Sequence, residues 1–388
     1  MNTRQWLDQL ISYNTISTNS NKPLIEAVAS WFKLHHIDLH IIPGPTDCKK
    51  NLLATIPASN GEVNGGILLS GHTDVVPVAG QLWNSDPFIA MEYEGRIFGR
   101  GSCDMKGFLA VLLALAPEFK KLKLLKPIHF AFTCDEEIGC IGVDYLVKYL
   151  QKTGIQPEGC IVGEPSNMRP ITGEKARRLY QCHVYGKATH SSLAPEGCNA
   201  IEYASRLVSY ITSLAVYVKK NGPFDPYFDI PFTTITTNMM NGGTAQNIIP
   251  GHCEFTLELR YIEQFPLENF YNQILNYISE ELLPEMRTTY AEAAINFEVL
   301  SDAPGFNALD SSLSRIVRAV TGVNECSKVS YATESGVFQN AHIPTLICGP
   351  GSIEQAHRPN EYITIDQLNL CEKVLRNVIH FFCVDLNL

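Results

Sequence analysis

The segment IHFAFTCDEEIG at residues 128–139 places an acidic pair directly after an apolar stretch. Residues 128–133 have the length and composition of a buried β-strand, and neighbouring side chains near a strand end point in different directions. Glu136 and Glu137 are therefore suited to different tasks, one binding a metal and the other facing a water molecule. A solvated acidic turn is the alternative for the letters DEE alone. The buried strand that leads directly into them argues against it.

Four further motifs place polar side chains at breaks marked by Gly or Pro, where strands deliver residues into sites. The motifs are SGHTD at 70–74, GRGSCDMKG at 99–107, GEP at 163–165 and AHRPNEY at 356–362. Any one alone is more typical of a cap or a solvated turn. Together they add four candidate ligands to the acidic pair, namely His72, Asp104, Glu164 and His357.

Imidazole and carboxylate ligands without paired cysteines suit zinc, cobalt or manganese. The candidate set is larger than one tetrahedral zinc ion needs. The sequence therefore indicates a site for two divalent metals that share one carboxylate.

Apolar strand candidates alternate with helical patterns in residues 1–177. The strand candidates are GGILLSG (65–71), IHFAFT (128–133) and GCIVGEP (159–165), and the helical patterns cover 24–35, 108–122 and 142–154. This alternation predicts an α/β domain whose mixed or mostly parallel sheet has helices on both faces. Functional loops of such a sheet lie at the carboxyl ends of its strands, so the metal candidates should meet there. Residues 304–388, with the strand TLICG (345–349) between two helices, complete this domain.

Residues 178–303 have a different pattern, in which long strands flank two long helices. Strands are predicted over 180–186, 232–240, 252–262 and 295–300, and helices over 199–218 and 267–283. This split βαβ arrangement predicts an inserted α+β domain that acts as a lid.

Composition and charge restrict the classes of function. A net charge of −10, without a long basic stretch, argues against nucleic-acid binding. The 12 cysteines are scattered singly, which is typical of free buried thiols in a reducing cytoplasm. The most apolar run, residues 108–116, is too short to span a bilayer. The N-terminal MNTRQWLDQLIS is typical of an amphipathic helix and not of a signal peptide. We therefore expect a cytoplasmic protein with no nucleic-acid or membrane partner.

The chain resembles the co-catalytic zinc peptidases and deacylases along essentially its whole length. The resemblance rests on the five motifs above, the last of them extended to GPGSIEQAHRPNEY (349–362), and on three others in the family's order: GKATHSS (186–192), GGTAQNIIP (242–250) and LELRY (257–261). It implies a zinc exopeptidase-like catalytic domain and a homodimer formed through the inserted domain.

The resemblance also implies a role for each metal-site candidate. Asp104 would bridge two divalent metals, zinc or cobalt. His72 and Glu164 would complete one metal position, and Glu137 and His357 the other. Glu136 and Asp74 would serve proton transfer and ligand orientation instead of binding metal.

Glu136 would be the general base in this family. Asp74 would accept the second N–H group of His72 and fix the imidazole tautomer, although a strand-end cap is the alternative. The peptide bond between Asp104 and Met105 would be cis. His190 would reach the active site of the other subunit, whereas a histidine before two serines is by itself more typical of a local hydrogen-bond group.

The subgroup that the chain resembles most is the acetylornithine deacetylases, through SYATESGVF (330–338) and CGPGSIEQAHRPNEY (348–362). This implies hydrolysis of N-acetyl-L-ornithine to L-ornithine and acetate, a step of arginine biosynthesis. Asn247 and Arg260 would hold the substrate carboxylate, although a surface ion pair is the alternative for Arg260. Glu334 would pair with the δ-ammonium group, or cap the helix that follows it.

Three alternatives remain open at this point. A succinyl-diaminopimelate desuccinylase and a broader N-acyl-amino-acid deacylase belong to the same class. A non-catalytic amino-acid-binding protein belongs to another class, and the complete ligand set argues against it. A nucleotide-binding oxidoreductase is disfavoured because GRGSCD lacks the third glycine of the dinucleotide turn.

Overall fold

The computed structural model describes residues 1–308 and 310–385. These residues form two compact units. Unit 1 comprises Met1–Gly173, Phe306–Lys328 and Thr333–Leu388, and unit 2 comprises Glu174–Gly305 and Val329–Ala332. The chain thus enters unit 2 twice, and no sequence feature indicates the short second passage.

Unit 1 is built on a six-stranded mixed sheet. Its strands are β1 (Asp38–Pro43), β2 (Lys50–Ile56), β3 (Ile67–His72), β6 (Ile128–Thr133), β7 (Gly159–Pro165) and β17 (Thr345–Gly349), in the order β1-β2-β6-β3-β7-β17. The pairs β6-β3, β3-β7 and β7-β17 are parallel, whereas β1-β2 and β2-β6 are antiparallel. The predicted mixed sheet is confirmed, and strands β6 and β7 begin and end at the predicted residues.

Seven helices accompany this sheet among the described residues. They are α1 (Thr3–Ser12), α2 (Lys22–Leu34), α3 (Gly107–Phe119), α4 (Val143–Thr153), α8 (Ser312–Thr321), α9 (Ser335–Asn340) and α10 (Ile365–Ile379). Helix α3 is apolar on nearly all sides because it lies in the middle of the core. Within the described residues, no helix has both the length and the apolar character that a membrane span requires.

Helices cover both faces of the sheet. Ile67 and Leu69 of β3 belong to a core cluster that includes residues of α1, α2, α3, α8 and α10. Leu68 points to the opposite face and lies outside that cluster, yet it is also fully buried. Helices α4 and α9 supply cover on that second side, where α4 packs on β1 and β2 and α9 packs on β17. Burial from both sides explains why β3, β6, β7 and β17 lack alternating polar residues.

A small sheet of short strands brings two loops of unit 1 together. Strands β4 (Met91–Tyr93), β5 (Arg96–Phe98) and β18 (Tyr362–Thr364) form an antiparallel sheet in which β5 is central. Pairing of β5 with β18 brings the loop after residue 98 beside the loop before residue 362. The segments that join the units contain β8 (Gly173–Glu174), β15 (Phe306–Asn307) and β16 (Lys328–Val329).

Unit 2 contains an antiparallel sheet with its own apolar core. Its four strands are β9 (Ala176–Tyr185), β11 (Thr234–Gly242), β13 (His252–Tyr261) and β14 (Ala294–Ala303), in the order β11-β13-β9-β14. Its helices are α5 (Ala200–Asn221), α6 (Leu267–Tyr277) and α7 (Leu283–Thr289), and a second pair of strands joins β10 (Thr189–His190) to β12 (Ile248–Ile249). Alternate residues of β9 and β13 enter the core, which leaves one sheet face polar.

Candidate metal centre

Three neighbouring strands of unit 1 end at the candidate ligands. Strand β3 ends with His72, which lies opposite Thr133 at the end of β6. The acidic pair follows β6 after two intervening residues, and Glu164 is the penultimate residue of β7. Since these strands are parallel neighbours, their carboxyl ends bring the side chains to one edge of the sheet.

Two loops supply the remaining candidates. Asp104 lies in the loop between β5 and α3, and the peptide bond to Met105 is cis, as the family resemblance implies. His357 lies in the loop before β18 with a positive φ of 63°. The β5-β18 pairing brings these two loops together.

Asp104 lies between the two histidines. Its Oδ1 atom is 3.0 Å from His72 Nε2, and its Oδ2 atom is 3.2 Å from His357 Nε2. His72 Nε2 is also 3.6 Å from a Glu164 oxygen, and His357 Nε2 is 3.0 Å from a Glu137 oxygen. Ligand atoms about 2.0–2.2 Å from a tetrahedral zinc ion lie about 3.3–3.6 Å apart, which is close to these distances. Each Asp104 oxygen thus belongs to a different ligand set.

The buried carboxylates of this cluster favour the binding of cations. Burial, followed by the nearby Asp104 carboxylate, raises the pKa of Glu137 to about 7 and that of Glu164 well above its usual value. Hydrogen bonds to Asp104 and Glu137 raise the pKa of His357 to about 11. Glu137 Oε1 is buried and has no hydrogen-bond partner among the described residues. A concentration of buried carboxylates with an unpaired oxygen fits divalent metals.

Glu136 lies beside the same cluster. Oxygen and nitrogen atoms of Glu136, His72 and Glu164 lie within 4.8 Å of one another, as do those of His72, Asp104 and Glu137. The Cys140 thiol also lies 3.5 Å from Glu136 Oε1. Geometry alone therefore permits Glu136 to be a ligand or a base.

Asp74 accepts the second N–H group of His72 with its main chain and uses its carboxylate elsewhere. The N–H group at His72 Nδ1 donates to the main-chain oxygen of Asp74 at 2.9 Å, whereas the nearest carboxylate oxygen is 3.7 Å away. The carboxylate accepts hydrogen bonds from the main-chain N–H groups of Glu136 and Glu137 and from the Ser17 hydroxyl. The side chain of Asp74 therefore positions the acidic pair, and its main chain orients the imidazole.

Glu361 lies within the AHRPNEY motif but is not among the predicted site residues. This buried carboxylate accepts hydrogen bonds from the main-chain N–H groups of Gly101, Cys103 and Asp104 at 2.9–3.0 Å, and from Arg100 Nη1 at 2.7 Å. It thereby fixes the loop that presents Asp104. Its position within AHRPNEY gave no local sign of a contact with a loop more than 250 residues away in sequence.

Replacing Glu361 with glutamine should weaken metal binding at the Asp104 centre by about 10- to 100-fold, the usual range for residues that support metal ligands. A glutamine amide has one acceptor oxygen, so at least one main-chain N–H group would lose its partner. Metal content at buffered free zinc concentrations measures the effect. Glu354→Gln, in an exposed part of the same loop region, is the control. Equal zinc affinity in the two variants would rule out this positioning role.

Three candidate residues lie in unit 2, whereas the metal cluster consists of unit 1 residues alone. His190 is exposed, and its Nδ1 atom accepts a hydrogen bond from the Ser192 main chain. Asn247 is also exposed, and its main-chain oxygen accepts a hydrogen bond from the Ser191 N–H group. Arg260 donates to Glu258 and to the main-chain oxygen of Ser330, both at 3.3 Å, so the ion pair weighed as its alternative is present.

Glu334 is buried in unit 1. Its carboxylate accepts a hydrogen bond from the Ser70 hydroxyl on β3 at 3.3 Å, and burial raises its pKa to about 7. Glu334 precedes helix α9, but its side chain does not cap that helix. With 1% of its surface exposed, Glu334 is as deeply buried as His72.

Comparisons with known proteins identify the family and the fold of the chain. The model of peptidase family M20/M25/M40 matches residues 68–380. Acetylornithine deacetylase from Photorhabdus laumondii is 33% identical over 387 residues, which cover 98% of this chain and 97% of that protein. Acetylornithine deacetylase from Pectobacterium carotovorum is 34% identical over 367 residues, covering 94% and 92%. An M20 family metallo-carboxypeptidase structure from Sulfolobus solfataricus shares the fold, with a TM-score of 0.76, 17% identity and coverage of 98% and 99%.

Proposed function

The chain belongs to the M20/M25/M40 family of peptidases, and on this premise we propose that it is a metal-dependent amidohydrolase that cleaves N-acetyl-L-ornithine to L-ornithine and acetate. One observation above all supports the catalytic part of this proposal: Asp104 offers a different oxygen to each of two histidine-carboxylate sets. The identity of 33–34% with acetylornithine deacetylases supports the substrate and a place in arginine biosynthesis.

The contacts support a ligand role for each of five residues. Asp104 would bridge two divalent metals, zinc or cobalt, with His72 and Glu164 in one position and Glu137 and His357 in the other. Bound there, the metals would polarise the scissile carbonyl and lower the pKa of a water molecule towards neutrality.

Glu136 is proposed as the general base. It would take a proton from the attacking water and pass it to the leaving amine, because an amine departs from an amide only when protonated. Its main-chain N–H group donates to Asp74 at 3.1 Å, which fixes the position from which the carboxylate acts. Asp74 is thus a positioning residue in this proposal.

Residues of unit 2 would complete substrate recognition. Arg260 and Asn247 would hold the substrate carboxylate through charge-assisted and amide hydrogen bonds. His190 would stabilise the developing oxyanion, acting from the second subunit of a homodimer formed through unit 2. Glu334 would pair with the δ-ammonium group of the substrate, and its carboxylate lies against Ser70 on β3, the strand that ends with His72.

A panel of substrates tests the proposed activity. Purified protein supplied with zinc or cobalt should hydrolyse N-acetylornithine with a kcat/KM at least about tenfold higher than for N-succinyl-diaminopimelate or N-acetylmethionine, since charge and acyl-chain contacts are typically worth at least that factor. A preference for one of the other substrates would reassign the specificity within the family. Absence of hydrolysis across a wider N-acyl-amino-acid panel would favour a binding protein.

Mixing two inactive variants should restore activity if His190 acts across the dimer. In a heterodimer of His190→Ala and Glu136→Ala subunits, one of the two sites contains both intact residues. Recovery should approach one quarter of wild-type activity after random subunit exchange, because half of the dimers are mixed and each has one intact site. Subunit exchange is followed with differently tagged chains. Complete exchange without recovery would place His190 in its own subunit's site or outside catalysis.

A further inference from the structure

The polar face of the unit 2 sheet has a second cluster of metal-ligand side chains. His183 lies on β9, and His252 and Glu254 lie two residues apart on the adjacent strand β13. Glu254 is directly opposite His183 in the register, so all three side chains project from the same face. The side chains of His183 and Glu254 are only 25% and 36% exposed.

The distances within this cluster match those between zinc ligands. His183 Nδ1 is 3.4 Å from His252 Nε2 and 3.6 Å from a Glu254 oxygen. The three ligand atoms all lie within 4.8 Å of one another. Ligand atoms around a tetrahedral zinc ion lie about 3.3–3.6 Å apart. Two imidazoles and one carboxylate also form a recurrent protein ligand set for zinc, with one position left for another ligand.

Neighbouring groups hold the imidazoles in place. Tyr185 packs against both rings, with ring centroids 6.0 Å from His183 and 5.1 Å from His252. The rings of His183 and His252 are themselves nearly parallel, with an angle of 20° between their planes. Ligands held by stacking and strand pairing lose less conformational entropy when an ion binds.

Space for a fourth ligand lies beside the cluster. His252 and Glu254 line a cavity of about 290 Å³, together with Asn241, Gly242 and Ile248. Asn241 is paired with Glu254 across β11 and β13, so its side chain projects from the same sheet face. A water molecule or the Asn241 amide oxygen would complete the coordination.

We propose that His183, His252 and Glu254 form a binding site for one zinc-class divalent cation. A hydrogen bond between the two imidazoles and an ion pair between His183 and Glu254 each explain one contact, whereas a shared cation would explain the convergence of all three ligand atoms. The ion would link the two central strands of the unit 2 sheet. No residue of this site belongs to the Asp104 centre, so the inference is independent of the proposed catalytic function.

Zinc stoichiometry in the intact protein tests the proposal. Protein dialysed against buffered micromolar free zinc should contain one zinc ion per chain more than His252→Ala or Glu254→Gln treated in the same way. The controls are His40→Ala, an exposed histidine on β1, and Glu298→Gln, an exposed carboxylate on the same sheet. Both controls should retain the wild-type zinc content.

Enzyme activity and thermal unfolding add two independent measurements. Both site variants should keep wild-type kcat/KM when zinc is sufficient for the Asp104 centre. Added zinc should raise the Tm of both variants by less than it raises the Tm of the wild type, because the variants lack the stabilisation from zinc bound to unit 2. Equal zinc content in wild type, His252→Ala and Glu254→Gln would overturn the proposal. If His252→Ala fails to fold, the conservative Glu254→Gln variant alone decides the result.

Discussion

Replacing Glu136 with glutamine is expected to lower kcat by about 10²- to 10⁴-fold while leaving the metal content at the wild-type level. Glutamine has nearly the shape of glutamate, so the main-chain hydrogen bond to Asp74 should persist. It has no basic oxygen with which to take a proton from water. The measurement combines kcat for an N-acyl amino acid with metal content after dialysis against buffered zinc.

Glu137→Gln is the matched comparison because it makes the same chemical change at the adjacent residue. The Glu137 carboxylate contacts His357 at 3.0 Å, so its substitution should reduce both metal content and activity. The comparison is needed because Glu136 lies close enough to His72 and Glu164 to bind a metal with them. If Glu136→Gln loses as much metal as Glu137→Gln, Glu136 is a ligand and another group must be the base.

Replacing Asp104 with alanine should remove both metals and reduce hydrolysis to the background rate. Each Asp104 oxygen faces a different histidine, so one substitution removes a ligand from both positions. The thiol nearest to Asp104 in sequence, Cys103, is buried, which raises its pKa well above the usual value, so it would not replace a metal-activated water. Metal analysis and kcat should therefore fall together, and zinc or cobalt should not restore activity at concentrations that reactivate chelator-treated wild type.

The exposed Asp47→Ala substitution controls for the general loss of a carboxylate. Circular dichroism should show that Asp104→Ala retains the fold, because the six-stranded sheet and its helices do not depend on this side chain. Retention of one tightly bound metal in Asp104→Ala would show that Asp104 does not bridge. Full activity in wild-type protein stripped of metal would contradict the proposed mechanism itself.

The sheet of unit 1 was predictable where burial on both faces produces short apolar runs. IHFAFT and GCIVGEP became β6 and β7, and GGILLSG became β3 shifted by one or two residues. Strand β1 was not predicted because its residues are mostly exposed, so it has no apolar run. The three-residue strands β4, β5 and β18 are too short for any pattern to identify.

The candidate ligands were also predictable, because Gly- and Pro-marked motifs follow the apolar strands and parallel strand ends meet at one edge. The supporting contacts were not. The sequence indicated that Asp74 accepts the N–H group of His72, but not that its main-chain oxygen does so while its carboxylate holds the main chain at Glu136 and Glu137. It likewise gave no reason to connect Glu361 with the Asp104 loop.

The sequence by itself determined the strands β3, β6, β7 and β17 of unit 1 and the residues that could bind metal, since these depend on local hydrophobic order and on side-chain chemistry. Its motifs also indicated the family. Only the tertiary structure decided which oxygen faces which histidine, which carboxylate holds which loop, and that Glu334 is buried. It also brought His183 beside His252 and Glu254. Hydrogen bonds and ligand contacts have ranges of a few ångströms, and strand register and loop packing set these distances between residues far apart in the chain.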